Sequence, residues 1–522
     1  MTGTVTLPLW LFLLILLFAA VTLASHFLFP SVRWFLRRRM ERVVARLNER
    51  LERPIEPFKL ARRHDMIQRL IYDPEVARAI AAHAAETGVP ENVAFAQARR
   101  YAREIVPGFS ASAYFGIATR LAKWLSQALY EVDVEAHDAH PETHPETHPE
   151  THPETGPDAP GASAAIAGKA PAAAQERQAT VVFVMNHRSN MDYVLVTWIA
   201  AERSALAYAV GEWARVWPLS ALIRAMGAYF IRRRTPDALY RRVLARYVGL
   251  ATDGGVTQAV FPEGGLSLDG RLAPPRLGIL KYIVEERAAD GRDVLFVPVA
   301  LNYDRVFEDQ LLVAAQQRGE RRFPARISVV ARFILRQFRL WLIGRYRRHG
   351  VAGVRFGAPL SLRAFQARNG GATLEALGAR LMAEIGAHVP LLPVPLVAHL
   401  LLAADAPLPR QALAARAAAI LARRRAFATA IADAGTAADS AADSAIATTD
   451  PATDPDSASD SATDCDSGGA AAARMVAAGL EILGRRGLVE ERAGGIAVAA
   501  AARPLVTYYA NSVAHLGLDR PG

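Results

Sequence analysis

Short apolar segments alternate with helical ones between Thr180 and Leu362, and this alternation constrains the fold more than any other feature of the sequence. Four of these segments are rich in β-branched and apolar residues, which is typical of strands: Val181–Met185, Ala259–Phe261, Val294–Leu301 and Val351–Phe356. Three segments between them have helical character: Val194–Arg203, Leu239–Ala251 and Leu277–Arg287. Strands that alternate with helices predict an α/β domain with a largely parallel central sheet.

A histidine and an aspartate lie five residues apart in the polar stretch that follows the first strand. Side chains at this spacing on one helix would point about 140° apart, so a turn has to bring His187 and Asp192 together. An aspartate at the start of the next helix could accept a hydrogen bond from one imidazole nitrogen and leave the other free to take a proton. The alternative is a turn histidine beside a helix cap.

Composition limits the chemistry and the partners. The single cysteine, Cys465, lies in a low-complexity stretch, which excludes a disulfide framework, a cysteine metal site and a thiol nucleophile in the core. No cofactor and no metal ion is expected. The net charge of +10 suits an anionic membrane face, a phosphorylated small molecule, an acidic carrier protein or a nucleic acid, and does not choose among them.

The amino-terminal segment has the length and composition of a membrane anchor. Residues 7–29 are nearly all apolar, and about 20 apolar residues suffice for a helix to cross a bilayer. A cluster of arginines begins at Arg33, which predicts that the rest of the chain is cytoplasmic. A monotopic hairpin or a helix lying on the membrane surface is the alternative.

Shifts in composition divide the chain into seven segments. Two of them are low-complexity linkers, the first with four His-Pro-Glu-Thr repeats from His140, and neither can build a core. The segments are a transmembrane anchor (1–32), a helical N-terminal region (33–135), a linker (136–178), the α/β domain (179–365), C-terminal helices (366–431), a second linker (432–473) and a small helical, winged-helix-like module with a hairpin (474–522).

Two further motifs lie near the ends of predicted strands. Arg232 and Arg233 follow a short β-like segment, and guanidinium groups bind phosphate in a bidentate manner, although a surface basic run is the alternative. Glu263 precedes two glycines, Gly264 and Gly265, whose backbone N–H groups can approach a ligand closely. The carboxylate could bond a substrate hydroxyl or hold an arginine.

A serine and a proline complete the set of motifs. Ser267 lacks the second glycine of a nucleophile elbow, which argues against a serine hydrolase. Pro298 lies in an apolar strand and is simplest to interpret as part of the core or the edge of an apolar pocket.

Four motifs in this order resemble the glycerolipid acyltransferase family, most of all its bacterial glycerol-3-phosphate acyltransferase branch, which also resembles dihydroxyacetone-phosphate acyltransferases. The matching residues are His187 and Asp192; Gly227, Phe230, Ile231, Arg232 and Arg233; Glu263, Gly264 and Ser267; and Val297, Pro298 and Val299. The third motif departs from the branch, because Leu266 and Leu268 stand where it usually carries arginines.

The resemblance implies a membrane-bound glycerol-3-phosphate O-acyltransferase of phospholipid biosynthesis. His187 would deprotonate the sn-1 hydroxyl, Asp192 would fix its tautomer, and the oxygen would attack the thioester of acyl-CoA or acyl carrier protein without an acyl-enzyme. The domain is expected on the cytoplasmic face of the bacterial inner membrane, in contact with membrane lipid and with no nucleic-acid partner. The residues expected to bind substrate are Arg188, Ser189, Gly227, Phe230, Arg232, Arg233, Glu263, Gly264, Gly265, Ser267, Arg271, Arg276 and Pro298.

Other functions stay open at this point. The leucines of the third motif favour a different phosphorylated acceptor, such as lysophosphatidate or dihydroxyacetone phosphate. The positive charge and the winged-helix-like module would also suit a membrane-tethered nucleic-acid-binding protein, and an inactive acyltransferase fold would suit a scaffold.

Overall fold

The computed structural model describes about three fifths of the chain. The described residues are 63–135, 179–200, 206–210, 226–232, 237–288, 291–319, 339, 343, 347–368, 373–424 and 464–518. The predicted membrane anchor, the first linker, most of the second linker and Arg233 lie outside these residues.

A mixed sheet of eight strands forms the centre of the described structure. Its order is β1-β7-β6-β2-β5-β3-β4, with β8 beside β6. The strands are β1 (Glu131–Glu135), β2 (Thr180–Met185), β3 (Ala207–Val210), β4 (Tyr229–Phe230), β5 (Gln258–Val260), β6 (Val294–Tyr303), β7 (Val351–Phe356) and β8 (Leu360–Ser361). Only the β6–β7 and β6–β8 pairs are antiparallel, so the predicted α/β fold with a largely parallel sheet is confirmed.

Helices cover both faces of the sheet. Those before β2 are α1 (Arg63–Ile71), α2 (Pro74–Thr87), α3 (Glu91–Ile105), a π-helix (Ser112–Ala118) and α4 (Thr119–Leu129). Those after it are α5 (Met191–Ala200), α6 (Ala238–Asp253), α7 (Gly278–Glu285), α8 (Asp309–Arg318), α9 (Leu362–Arg368), α10 (Leu374–His388), α11 (Pro393–Leu402), α12 (Asp464–Arg485) and α13 (Arg503–Asn511). Residues 410–424 are helical as well.

Successive residues of β2 contribute to two separate cores, as the two-residue period of a strand requires. Val181, Phe183 and Met185 lie in the core that also contains α11, α12 and α13. Val182 and Val184 lie in the core that contains α1, α2, α3 and α6. The N-terminal helices therefore pack directly on the sheet, and β2 is buried along its whole length.

Several boundaries differ from the sequence-based prediction for identifiable reasons. The prediction placed residues up to 135 in a helical region, whereas Glu131–Glu135 forms β1, in which valines alternate with acidic residues at the edge of the sheet. The first helix after His187 begins three residues early, at Met191, because the Ser189 hydroxyl accepts a hydrogen bond from the Met191 N–H at 3.1 Å. β7 has the bounds that the sequence predicts.

The C-terminal part of the chain packs against the same sheet. Helix α12 begins at Asp464, inside the predicted second linker. An antiparallel hairpin follows, with β9 (Val489–Arg492) and β10 (Gly495–Val498), and then α13. Residues of α12, the hairpin and α13 share one core with β2 and β6. The winged-helix-like character of this module stays a prediction.

Among the helices that the structure describes, none alone combines the length and hydropathy needed to cross a bilayer. The pair α10 and α11 reaches both only when taken together, across a bend of 92°.

Candidate active site

The carboxyl ends of the parallel strands meet at one edge of the sheet, where ligands bind in α/β proteins. β2 and β6 are parallel neighbours, as are β2 and β5. The loop after β2 carries His187 and leads into α5, whose second residue is Asp192. The Asn186 side chain fixes the start of this loop: it donates to the Leu301 carbonyl at 2.9 Å and accepts from the Leu301 N–H at 2.8 Å.

His187 and Asp192 form a buried hydrogen-bonded pair, as the sequence predicts. The distance from His187 Nδ1 to Asp192 Oδ2 is 2.9 Å, and the two residues are 3% and 0% exposed. A carboxylate can only accept, so Nδ1 carries the proton and Nε2 presents its lone pair in the neutral imidazole. No described residue makes a hydrogen bond to Nε2. The imidazole can therefore accept a proton from a hydroxyl group.

Three buried or partly buried carboxylates fix the backbone of the histidine loop. Four consecutive N–H groups, those of residues 187–190, each donate to a side-chain carboxylate. His187 N donates to Glu263 at 2.9 Å, and the next two N–H groups donate to Asp192 at 2.7 and 3.0 Å. Asn190 N donates to Glu308 at 2.7 Å. The loop has no ladder or helix partner for these groups, so the carboxylates determine its shape.

Glu263 binds backbone rather than presenting its carboxylate to the site. Oε1 accepts from His187 N at 2.9 Å, and Oε2 accepts from Ala273 N at 3.1 Å. Burial raises the pKa of the Glu263 carboxyl, and the two N–H donors oppose that rise. Glu263 therefore connects the histidine loop to the segment before α7. Its predicted hydrogen bond to a substrate hydroxyl stays a prediction.

The other residues of the glycine turn either bond to the histidine loop or determine the shape of the turn beside it. Ser267 N donates to the His187 carbonyl at 3.0 Å, and the Ser267 hydroxyl donates to the Arg271 carbonyl at 2.7 Å. Gly264 has φ +69°, and a Cβ there would lie 2.7 Å from Cδ of Arg276. The Gly264 N–H already donates within the turn, to Phe261 O at 3.0 Å. Gly265 is partly buried beside it.

Ser189 caps α5 and contacts the carboxylate of Glu308, a residue that no sequence motif indicates. Its hydroxyl donates to Glu308 Oε2 at 2.8 Å, while the Asn190 amide donates to Glu308 Oε1 at 2.7 Å. Burial raises the pKa of the Glu308 carboxyl, with hydrogen bonds from the loop acting against it. The predicted contact of Ser189 with substrate stays a prediction.

Arg188 points away from solvent and connects the loop to the C-terminal helix. Its guanidinium donates to the Gly270 carbonyl and lies 5.2 Å from the centre of the Tyr508 ring. The residue is 2% exposed, and its Nε and Nη2 make no hydrogen bond to any described residue. Gly270 has to be glycine because a Cβ would lie 1.9 Å from the Tyr508 carbonyl oxygen.

The described part of the second motif, residues 227–232, lies on and around β4 at the far end of the sheet. Arg232 forms a two-pronged ion pair with Glu104 of α3, with nitrogen–oxygen distances of 2.6 to 3.2 Å, and its guanidinium lies over the rings of Tyr101 and Tyr240. β4 is separated from β2 by β5 and β3, which is about 14 Å at the usual strand spacing. Gly227 is buried with φ +88°, and Phe230 ends β4.

The remaining predicted residues divide into exposed cations and core positions. Arg271 and Arg276 are exposed, and both lie close in the chain to the Glu263 turn. Pro298 is buried on β6, opposite Val184 of β2. Leu266 and Leu268, the two departures from the family pattern, pack against the core that contains β2.

The structure adds three aromatic neighbours of the dyad that the sequence analysis did not select. The Phe261 ring stacks on His187 at 4.2 Å, and the Tyr193 ring meets His187 edge-on at 5.3 Å. Tyr303 donates to Asp192 Oδ1 at 2.6 Å. Phe261 and Tyr193 could have been found as the aromatic residues beside the motifs, whereas Tyr303 is 111 residues from its partner.

Comparison with known proteins identifies two regions of the chain. Residues 169–302 match the family model described as Acyltransferase, and residues 340–454 match that of the glycerol-3-phosphate acyltransferase C-terminal region. All the residues of the four motifs fall within the first region.

Several bacterial proteins named glycerol-3-phosphate acyltransferase are similar to this chain. That of Alteromonas mediterranea is 29% identical over 189 residues, and that of Aeromonas hydrophila is 33% identical over 187; each match covers 35% of this chain and 22% of the relative. That of Actinobacillus succinogenes is 26% identical over 316 residues, which is 60% of this chain and 34% of the relative. The matches thus span about a fifth to a third of the relatives' own length.

Among solved structures, the 1-acyl-sn-glycerophosphate acyltransferase PlsC from Thermotoga maritima matches with a TM-score of 0.29 and 17% identity, over 56% of this chain and 84% of that one. At this TM-score the likeness does not bear on the fold. The family models and the named relatives confirm the resemblance drawn from the motifs. Residues 169–302 are therefore similar to the Acyltransferase family, and residues 340–454 to the C-terminal region of glycerol-3-phosphate acyltransferases.

Proposed function

We propose that this protein transfers a fatty acyl group from a thioester donor, acyl-CoA or acyl carrier protein, to the sn-1 hydroxyl of glycerol 3-phosphate. The observation that carries the proposal is the buried His187–Asp192 pair, in which Nδ1 is engaged and Nε2 makes no bond to any described residue. The relatives that are similar to this chain are named for this activity.

The chemistry needs a base but no protein nucleophile. His187 Nε2 takes the proton of the acceptor hydroxyl as its oxygen attacks the thioester carbonyl, and Asp192 stabilises the imidazolium that forms. The tetrahedral intermediate then collapses: the carbon–sulfur bond breaks, and His187 returns the proton to the thiolate. The products are the ester and a free thiol, and no acyl-enzyme forms. Positioned proton transfer of this kind contributes about 10²- to 10⁴-fold.

Arg271 and Arg276 are the best placed described cations for the phosphate of the acceptor. Both backbones are tied to the turn that holds His187: the Arg271 carbonyl accepts from the Ser267 hydroxyl, and Arg276 N donates to Pro262 O at 2.7 Å. Their side chains are exposed, whereas Arg232 is paired with Glu104. Arg233 remains a further predicted phosphate ligand.

A second acceptor is favoured by one observation. Leu266 and Leu268 place apolar side chains on the core next to the turn where the family usually has arginines. An acceptor with an acyl chain, such as lysophosphatidate, would gain from apolar surface there, and dihydroxyacetone phosphate is the other acceptor that the motif resemblance leaves open. Both compounds therefore belong in the assay.

The enzyme is proposed to act at the cytoplasmic face of the bacterial inner membrane. The support is the apolar stretch at residues 7–29 and the arginines that follow it. Deleting residues 1–32 should move the protein from the membrane pellet to the soluble fraction; retention in the pellet would favour surface attachment through another part of the chain.

The deciding experiment uses membranes that contain the full chain and labelled acceptors. Glycerol 3-phosphate, lysophosphatidate and dihydroxyacetone phosphate are each combined with acyl-CoA and with acyl carrier protein. His187→Ala should abolish product, whereas His64→Ala, an exposed histidine of α1, should not. A folded and active His187→Ala variant would remove the proposed mechanism. Retarded nucleic acid in a gel shift, without acyl transfer, would favour the nucleic-acid-binding alternative.

A further inference from the structure

Asp192 divides its hydrogen bonds unequally between its two oxygens. Oδ2 accepts from three donors of the histidine loop: His187 Nδ1 and the N–H groups of residues 188 and 189. Oδ1 accepts from the Tyr303 hydroxyl at 2.6 Å, a length typical of a hydroxyl that donates to an ionised carboxylate. All three loop donors are therefore on one oxygen, and Tyr303 binds the other.

The geometry points to Tyr303 as a positioning residue that locks the carboxylate of Asp192 and tunes the proton affinity of the His187–Asp192 pair. This inference rests on the proposed function of that pair. The terminal torsion of an aspartate is broad, so the plane of the carboxylate can rotate unless both oxygens are held. Rotation would move Oδ2 away from Nδ1 and let the imidazole turn.

Tyr303 is well anchored for this task. It is the last residue of β6, it pairs with Ala352 of β7, and it is 1% exposed. Its ring packs against Tyr130 at 5.3 Å, and its N–H donates to Asn302 Oδ1 at 3.0 Å. The donors in the histidine loop, just before α5, fix one oxygen of Asp192, and Tyr303, at the end of a strand of the sheet, fixes the other.

The Tyr303 hydroxyl stays a donor at every pH at which the enzyme can be assayed. Burial, and next the negative charge of Asp192, raise the pKa of Tyr303 well above its usual value. The other charged and titratable groups around the pair come from four segments of the chain. They are Arg188 in the loop, Glu263 after β5, Glu308 before α8, and Tyr193 in α5.

The proposal predicts the direction of a pH shift. A phenylalanine at position 303 removes the donor, so less of the Asp192 charge is compensated and a protonated His187 is attracted more strongly. Protonated His187 then persists to higher pH and cannot act as a base. The acidic limb of the profile of kcat/KM against pH should move to higher pH, and kcat should fall by about 10- to 100-fold because the carboxylate is less well oriented.

Tyr303→Phe is compared with Tyr130→Phe. Tyr130 is also buried and lies against Tyr303, but its hydroxyl donates to the Arg305 carbonyl at 2.8 Å rather than to Asp192. Tyr130→Phe should leave the acidic limb unmoved. A fall in kcat with no shift in Tyr303→Phe, or equal shifts in both variants, would overturn the tuning role.

A second variant and a second readout keep the test decisive. A fluorinated tyrosine at position 303 keeps the shape but donates more strongly, so the acidic limb should move to lower pH. NMR titration of ¹⁵N-histidine-labelled protein, with the His187 signal assigned by its loss in His187→Ala, measures the same shift without substrate. An unchanged His187 titration in Tyr303→Phe would contradict the inference about Tyr303. Absence of acyl transfer by the wild type would instead contradict the proposed function.

Discussion

Replacing Asp192 with asparagine separates the charge of this residue from its hydrogen bonds. The amide oxygen can take the place of Oδ2, and the amide nitrogen would then face the Tyr303 hydroxyl, whose oxygen can accept. The loop N–H groups keep an acceptor, so the variant should fold. It would lack the negative charge that stabilises protonated His187 in the transition state.

The expected loss follows from the distance between the two groups. Unit charges 2.9 Å apart attract by about 6 kcal/mol at the effective dielectric constant of about 20 that suits protein sites. The neutral amide retains a hydrogen bond of about 1 to 2 kcal/mol. The difference of about 4 kcal/mol corresponds to a fall in kcat of about 10³-fold.

The assay is the initial rate of acyl transfer at saturating labelled acceptor, with thermal melting as the test of folding. Asp192→Ala is the contrast: it leaves two loop N–H groups and the Tyr303 hydroxyl without an acceptor, so it should lose both activity and stability. If Asp192→Asn stays folded and keeps more than about a tenth of the wild-type kcat, the charge of Asp192 is not what the base requires.

Three further substitutions test the surroundings of the site. Glu263→Gln should lower the free energy of unfolding by about 1–3 kcal/mol and reduce kcat, because one of two bound N–H groups would meet an amide NH₂; urea titration and initial rates check this. Arg486→Met should lower the free energy of unfolding by about 3–5 kcal/mol, because the buried carboxylate of Asp309 loses its ion-pair partner and keeps the Tyr509 hydroxyl and Gln310 N as donors. Replacing the exposed neighbour, Arg485→Met, should lower it by less than about 1 kcal/mol in the same titration. Burial raises the pKa of Asp304 from 3.8 to about 7, so the native state binds this proton more tightly than the unfolded state does. The free energy of unfolding should therefore fall as pH rises between these two values. Asp304→Asn should reduce this fall in thermal melts recorded from pH 4 to 7.5.

Local patterns predicted the strands and the dyad but not the groups that hold the dyad in place. β7 has the predicted bounds, and the strand–turn–helix unit around His187 is formed by residues close in sequence. Glu308 and Tyr508, in contrast, meet the loop from 118 and 320 residues away. Contacts between residues so far apart in the chain produce no periodic pattern in the sequence. The sequence also does not distinguish a buried glutamate from a solvated one.

The edge strand β1 has a signal in the sequence that the prediction of a helical region over residues 33–135 does not use. The segment Glu131–Glu135 alternates acidic residues with valines, which is the two-residue period of an edge strand with one solvent-exposed face. Five residues are too few to outweigh the helical run before them when only local propensity is considered. Pairing with β7 decides the matter in the structure, because it satisfies the backbone of both strands.

Three carboxylates surround the histidine loop because its four successive backbone N–H groups need acceptors. Residues 187–190 present four successive N–H groups, and Glu263, Asp192 and Glu308 accept all of them. Each carboxylate comes from a different element, so the loop is held from three sides and His187 keeps one orientation. The carboxylate of Asp192, 2.9 Å from His187 Nδ1, also stabilises the imidazolium that forms in the transition state of base catalysis. A loop held by neutral amides could have the same shape, but it would lack this electrostatic contribution.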